Sequence, residues 1–145
     1  MDDESFGHVL DVVRRFVREQ VMPREQEIED TDAIPDDLRR AAADLGLFGY
    51  ALPAEFGGLG ARMVQDVRLA FEFGYTTPAF RSLFGTNNGI AGQVIARFGS
   101  DDQKKTYLPS LAAGHRIASF ALTESEAGSS PTGLRTSATR VGDEW

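Results

Sequence analysis

The chain reads as mainly α-helical, with a short stretch of strand-like sequence at its C-terminal end. Three observations predict this. Apolar residues recur at helical spacing between Phe6 and Leu111, in segments separated by Gly, Pro and polar residues. Ser100-Asp101-Asp102-Gln103 is a capping box, in which Ser100 and Gln103 can each satisfy a backbone group that a helix start leaves unpaired. After His115 the sequence turns to small, branched and aromatic residues, in a run too short for a helix between Gly114 and Gly128. The expected division is a helical domain over 1–115 and the start of a β-domain over 116–145.

The first helix is predicted over Phe6 to Val21. Phe6, Val9, Leu10, Val13, Phe16 and Val17 form one face, with Asp11, Arg14, Arg15, Arg18 and Glu19 on the other. Acidic residues precede it, where the helix dipole favours them. Pro23 and the charged run from Arg24 to Asp32 either close this helix or carry it on as a solvated extension. Pro35 then opens a second helix whose buried stripe is Leu38, Ala41, Ala42 and Leu45, with Gly46 placed to end it. Gly57-Gly58-Leu59-Gly60 reads as a structural turn, since no strand precedes it and the GxGxxG spacing of a nucleotide loop is absent.

Val64, Val67, Ala70 and Phe71 mark a third helix that ends near Gly74, and Thr77-Pro78 begins a fourth carrying Phe80, Leu83 and Phe84. Its continuation, Gly85-Thr86-Asn87-Asn88-Gly89-Ile90-Ala91-Gly92, is costly inside a helix, at about 1 kcal/mol per glycine relative to alanine. Something must offset that cost, either close helix packing or space left for a ligand. Val94, Ile95 and Phe98 return to helical spacing. The fifth helix starts at Asp101 and runs to Gly114, with Pro109 bending or tightening its last part. Ile117–Thr123 and Leu134–Arg140 are the two expected strands, and Gly142-Asp143 is a turn toward a third that Trp145 would begin.

Charge and composition remove several function classes. With 22 acidic against 15 basic residues the net charge is −7, contrary to the clustered positive charge that nucleic acid or an anionic membrane requires. The absence of cysteine excludes disulfides, thiolate chemistry and cysteine-ligated metal, and fits a reducing compartment. Met1-Asp2-Asp3-Glu4 is the opposite of a basic targeting start, and no apolar run is long enough to span a bilayer. A cytoplasmic protein is expected. His8 and His115 have no companions that would complete a triad or a metal set, so neither a nucleophile nor a metal is expected.

The chemistry is concentrated in Phe120-Ala121-Leu122-Thr123-Glu124-Ser125-Glu126-Ala127-Gly128-Ser129-Ser130, with Gly133 shortly after. Small residues at 127–130 let backbone N–H groups converge on an anion, the kind of concavity that holds phosphate oxygens. This segment resembles the flavin- and substrate-binding signature of the acyl-CoA dehydrogenase family: an aromatic, a small and an apolar residue, Thr-Glu, then Ala-Gly-Ser-Asp and a nearby Gly. Ser125 stands where that pattern has Pro and Ser130 where it has Asp. A second, independent stretch from Phe98 to Pro109 is similar to the same family, as is the turn from Pro53 through Gly57-Gly58 to Gly60.

The resemblance implies an N-terminal helical domain leading into a β-domain, with a C-terminal helical bundle that these residues do not include. It implies α,β-dehydrogenation of an acyl-CoA thioester with FAD as cofactor, an electron-transfer flavoprotein as electron acceptor, and a homo- or hetero-oligomer. Phe120, Leu122, Thr123, Gly128 and Ser129 are the implied cofactor-binding residues, and Ser129 also the substrate-binding one. The Leu122 and Thr123 amides and the Thr123 hydroxyl suit the flavin's ring edge, Phe120 its apolar wall, and Gly128-Ser129 a phosphate. In a regular strand Phe120 and Thr123 lie on opposite faces, so contact of both with one flavin requires a bend or an approach along the strand end. Glu124 and Glu126 suit structural or solvated roles, since carboxylates are poor phosphate ligands. No catalytic base is expected here, because in most of the family it is a glutamate of the C-terminal domain. Two other outcomes fit the same residues: an oxygen-reacting relative, either an oxidase or a flavin monooxygenase, and a non-catalytic partner subunit.

Overall fold

The computed structural model describes residues 1–144. Helix α1 (Asp3–Phe16) starts where Asp2 accepts a hydrogen bond from the Ser5 N–H at 2.8 Å, with Asp3 and Glu4 in its first turn. Pro23 cannot donate to the helical ladder, and the chain passes it by loosening into a π-helical turn over Val17–Val21 and tightening into a 3-10 turn over Met22–Arg24. Helix α2 (Glu25–Thr31) comes next, and Asp32 ends it in the left-handed region at φ 50°. The charged run therefore extends the first helix. Helix α3 (Asp36–Asp44) begins after Pro35 and buries Leu38 and Ala42.

Residues 47–61 fold back on themselves through main-chain bonds. Leu59 N–H donates to Gly49 O at 3.0 Å, Gly60 N–H to Leu52 O at 2.9 Å and Ala61 N–H to Tyr50 O at 2.8 Å. Gly58 is what allows this approach, since a Cβ there would lie 2.1 Å from the Leu52 carbonyl oxygen. The glycine-rich stretch is thus a structural turn.

Helix α4 (Met63–Phe73) forms where expected but turns an unexpected face inward. It buries Leu69 and Phe73 together with Gln65 and Glu72, while Val64, Val67 and Phe71 are exposed. Both inward polar groups are paired. Gln65 Oε1 accepts from the Arg62 N–H at 2.9 Å, and Glu72 takes Arg14 at 2.9 Å and Arg18 at 3.2 Å, both from the first helix and its extension. Such pairing makes burial of polar atoms tolerable, so apolar periodicity alone mistakes the inner face.

Helices α5 (Pro78–Gly89) and α6 (Ala91–Phe98) meet at a break at Ile90, and α7 (Asp101–Ala112) opens with the capping box formed as expected. The main core gathers around Phe84, whose ring lies 5.1 Å from Phe73, 5.4 Å from Phe80, 5.9 Å from Phe48 and 6.4 Å from Tyr50. A smaller core of Leu52, Leu108, Leu111 and Ala112 joins α7 to it.

Packing explains Gly92 and the two asparagines of the glycine- and asparagine-rich stretch. At the α5–α6 break a Cβ on Gly92 would lie 1.9 Å from the Asn87 carbonyl oxygen and 2.8 Å from Leu52 Cδ2. Gly89 is exposed, with nothing within 4 Å of an added Cβ. Asn87 and Asn88 are buried and each makes three side-chain hydrogen bonds. These bonds offset the poor helix propensity of the segment.

The two expected strands do not form. Residues 117–123 and 134–140 carry no regular secondary structure, and no ladder joins them to each other or to any other segment among the described residues. The bridges among those residues are isolated, at Glu124 with Ala127 and Val141 with Glu144. A strand is defined by a neighbour that takes its N–H and C=O groups, and here the Ala118, Arg135 and Thr136 amides go to side chains instead of to a second strand. Gly142-Asp143 does make the expected turn, with Gly142 at φ 67°. The third strand placed at Trp145 lies outside the described residues. No helix among them is long and apolar enough to cross a membrane.

Candidate functional site

The end of α7 and the side chain of Asn87 determine where residues 116–136 start. Gly114, at φ 71°, turns the chain out of α7 against Phe48, and its carbonyl accepts from Arg39 Nη2 at 2.8 Å. The Arg116 N–H then returns to Ser110 O at 3.1 Å. From inside the body Asn87 Nδ2 donates to the Arg116 carbonyl at 3.0 Å, while its Oδ1 accepts from the Ala118 N–H at 2.8 Å. Beyond Ala118 the chain leaves the body, and Phe120 and Leu122 are 48% and 42% exposed.

The loop after Thr123 is closed by Glu124. Its main chain exchanges two hydrogen bonds with Ala127, at 2.9 and 3.2 Å, around a tight turn at Ser125-Glu126. Its carboxylate accepts from the Arg135 N–H at 2.8 Å, the Thr136 N–H at 2.7 Å and the Thr136 hydroxyl. Ala127 is thereby buried, and a Cβ on Gly133 would meet its methyl at 3.5 Å. A Cβ on Gly128 would lie 3.9 Å from the Thr123 methyl, so Thr123 and Gly128 are neighbours in space. At Ser130, whose side chain replaces the pattern's carboxylate, the hydroxyl meets that of Thr132 at 3.1 Å.

The structural role expected for Glu124 is what the carboxylate performs. The hydrogen bonds from the Thr136 hydroxyl and from the Arg135 and Thr136 amides hold its pKa below the ordinary value of 4.5. A value lowered on folding means that the tie stabilises the loop above the unfolded value and is lost as the pH falls through the folded one. Exchange protection of the Arg135 and Thr136 amides is therefore expected to hold above pH 4.5 and to fail progressively below it. Glu124→Gln should weaken that protection at neutral pH and remove its pH dependence. Protection that is flat with pH in the parent protein would show that the carboxylate does not hold the loop.

The donor set suits a flavin nucleotide. Among the described residues the N–H groups of Leu122, Thr123, Gly128 and Ser129 and the Thr123 hydroxyl have no hydrogen-bond partner. Two are offered by a loop whose glycine leaves the approach open, as phosphate oxygens require, and the others by an extended segment flanked by exposed apolar side chains. With no ladder keeping 117–123 flat, the strict two-face alternation that separates Phe120 from Thr123 is not imposed. Sequence reasoning missed Asn87 as the group that anchors this segment. The available signal was a pair of asparagines inside a helical pattern, where only buried hydrogen bonds justify them.

Residues 4–115 match the sequence family described as acyl-CoA dehydrogenase, N-terminal domain. Over 144 residues the chain is 37% identical to (2S)-methylsuccinyl-CoA dehydrogenase of Cereibacter sphaeroides, covering 99% of this chain and 26% of that protein. The crystal structure of glutaryl-CoA dehydrogenase from Mycobacterium smegmatis superposes with a TM-score of 0.85 at 35% identity, covering 99% of this chain and 37% of the other. That of an acyl-CoA dehydrogenase complexed with FAD from Bacillus anthracis gives 0.78 at 32% identity, covering 92% and 23%. The chain thus spans between about a quarter and two fifths of these relatives. It belongs to the acyl-CoA dehydrogenase family, and residues 4–115 are its N-terminal domain.

Proposed function

We propose that this chain is the N-terminal part of an FAD-dependent acyl-CoA dehydrogenase, in which 1–115 is the helical domain and 116–145 begins the β-domain. The observation that carries the reading is the row of unpartnered donors at Leu122, Thr123, Gly128 and Ser129, on a loop closed by Glu124 and started by Asn87. The Leu122 and Thr123 amides and the Thr123 hydroxyl hold the flavin ring's polar edge. Phe120 shields it from water. Gly128 and Ser129 bind phosphate oxygens, and Ser129 also meets the CoA part of the substrate. A bound flavin would supply the hydride acceptor for the substrate β-carbon while a base took the α-proton, leaving a C=C bond between the two carbons.

The base comes from outside this chain in this reading. The carboxylate next to the proposed site, Glu124, is already engaged by the Arg135 and Thr136 amides. The 145 residues alone are therefore expected to turn over no acyl-CoA. An electron-transfer flavoprotein is the proposed acceptor, and the working form is an oligomer in the cytoplasm. Anaerobic addition of an acyl-CoA to the flavin-loaded whole protein should bleach the oxidised flavin and yield the enoyl thioester. A flavin that stays oxidised with short, branched and long acyl-CoAs alike would contradict the reading.

A further inference from the structure

We infer that Asn87 is a positioning residue for the cofactor segment, acting as a one-residue substitute for a neighbouring strand. This rests on the proposed flavin-binding role of 120–129. In a parallel ladder one residue donates its N–H to the carbonyl of residue i−1 on its neighbour and accepts from the N–H of residue i+1. The Asn87 carboxamide does the same around Ile117. Nδ2 donates to Arg116 O at 3.0 Å and Oδ1 accepts from Ala118 N–H at 2.8 Å. The second Nδ2 hydrogen goes to Leu111 O at 3.1 Å, in the last turn of α7. With its side chain fully buried, Asn87 has no freedom to serve any other partner.

Its position gives this carboxamide control over the residues downstream. Between Ala118 and the Glu124–Ala127 turn no residue makes a hydrogen bond to the helical body among the described residues. Ala118 is thus the last fixed amide before Phe120, Leu122 and Thr123. A slip of one residue at this point would displace all three by one position, because no bond to the helical body lies between Ala118 and them. The carboxamide sets the register in which the flavin-facing donors are presented. Aspartate cannot replace it at neutral pH, since its ionised form keeps the acceptor for Ala118 but sets a negative oxygen against the Leu111 and Arg116 carbonyls.

The test compares Asn87→Ala, Asn87→Asp and Val13→Ala in the whole protein, the last being a core truncation in α1. Helical content, amide exchange at 118–123 and the dissociation constant for FAD are measured well below the unfolding temperature. Asn87→Ala is expected to keep its helices, lose the protection of the Ala118 amide and bind FAD at least about tenfold more weakly, the loss of one buried hydrogen bond's worth of positioning. Val13→Ala should bind FAD like the parent despite its lower stability. Asn87→Asp should regain Ala118 protection and FAD affinity as the pH is lowered and the carboxyl protonates, which decides the matter if the alanine variant does not fold. Unchanged FAD affinity in Asn87→Ala, or equal weakening in Val13→Ala, would overturn the inference. A parent protein that binds no FAD overturns the functional reading instead, and the Ala118 exchange then decides by itself whether Asn87 sets the register.

Discussion

Phe84→Ala is expected to destabilise the helical body by about 3–5 kcal/mol, the range for removing a fully buried aromatic side chain. Phe84 is inaccessible to solvent, and its ring touches four others contributed by α4, α5 and the 47–52 connection, at centroid distances from 5.1 to 6.4 Å. The pairs to Phe48, Tyr50, Phe73 and Phe80 are all edge-to-face, the arrangement the ring quadrupole favours. Phe84→Leu retains most of the volume and loses those contacts, so its cost should be smaller, about 1.5 kcal/mol. Urea unfolding of the two variants measures both figures. An alanine variant within about 1 kcal/mol of the parent would mean that this cluster is not where the helices are held together.

Asn88→Ala is the second large effect, at about 2–4 kcal/mol, and its cause is polar where that of Phe84 is apolar. Asn88 is 2% exposed, and its Nδ2 donates to Leu47 O at 2.8 Å and Phe84 O at 3.0 Å while Oδ1 accepts from Ala51 N–H at 2.9 Å. Truncation leaves the Leu47 carbonyl and the Ala51 amide without partners among the described residues. Each unsatisfied buried group costs about 1–3 kcal/mol, whereas the Phe84 carbonyl keeps its place in the helix. The Ala51 carbonyl remains held by Gln93 Nε2 at 2.9 Å, so the 47–52 connection should loosen at one end only. Denaturant unfolding together with faster exchange of the Ala51 amide would establish this. Loss of stability without any change at Ala51 would point to a different cause.

These two neighbours on α5 show what the sequence could and could not convey. Several helices were legible because a local signal marks them: acidic residues at the start of α1, Ser100 as a cap, Pro35 and Pro78 at helix starts, Gly46 and Gly114 in the left-handed region that ends a helix. Inward faces were less legible. In α4 the apolar residues Val64, Val67 and Phe71 are exposed, because Glu72 is drawn inside by Arg14 and Arg18, far away in sequence. The break at Ile90 was hidden for a similar reason, since Gly92 is required by the Leu52 side chain and the Asn87 carbonyl and by nothing that periodicity reveals.

The candidate site divides in the same way. Small residues at 127–130 and the change of pattern after His115 were readable as a loop and an extended segment. That the segment stays free of any ladder among the described residues was not, because strand propensity describes a side chain's fit to a sheet and does not supply the neighbouring strand. Glu124 closing the loop onto Thr136 and Asn87 holding Ala118 both depend on groups brought together by the tertiary fold. Such contacts leave no periodic trace.

Whether a rigid helical body presents 118–129 as one wall of a flavin site is decided by amide hydrogen exchange of the whole protein with and without FAD. FAD is expected to add protection at Leu122, Thr123, Gly128 and Ser129, whose N–H groups have no partner among the described residues, and to leave α5 and α7 unchanged. FAD bound with no added protection at those four amides, or with its protection confined to the helices, would contradict that arrangement.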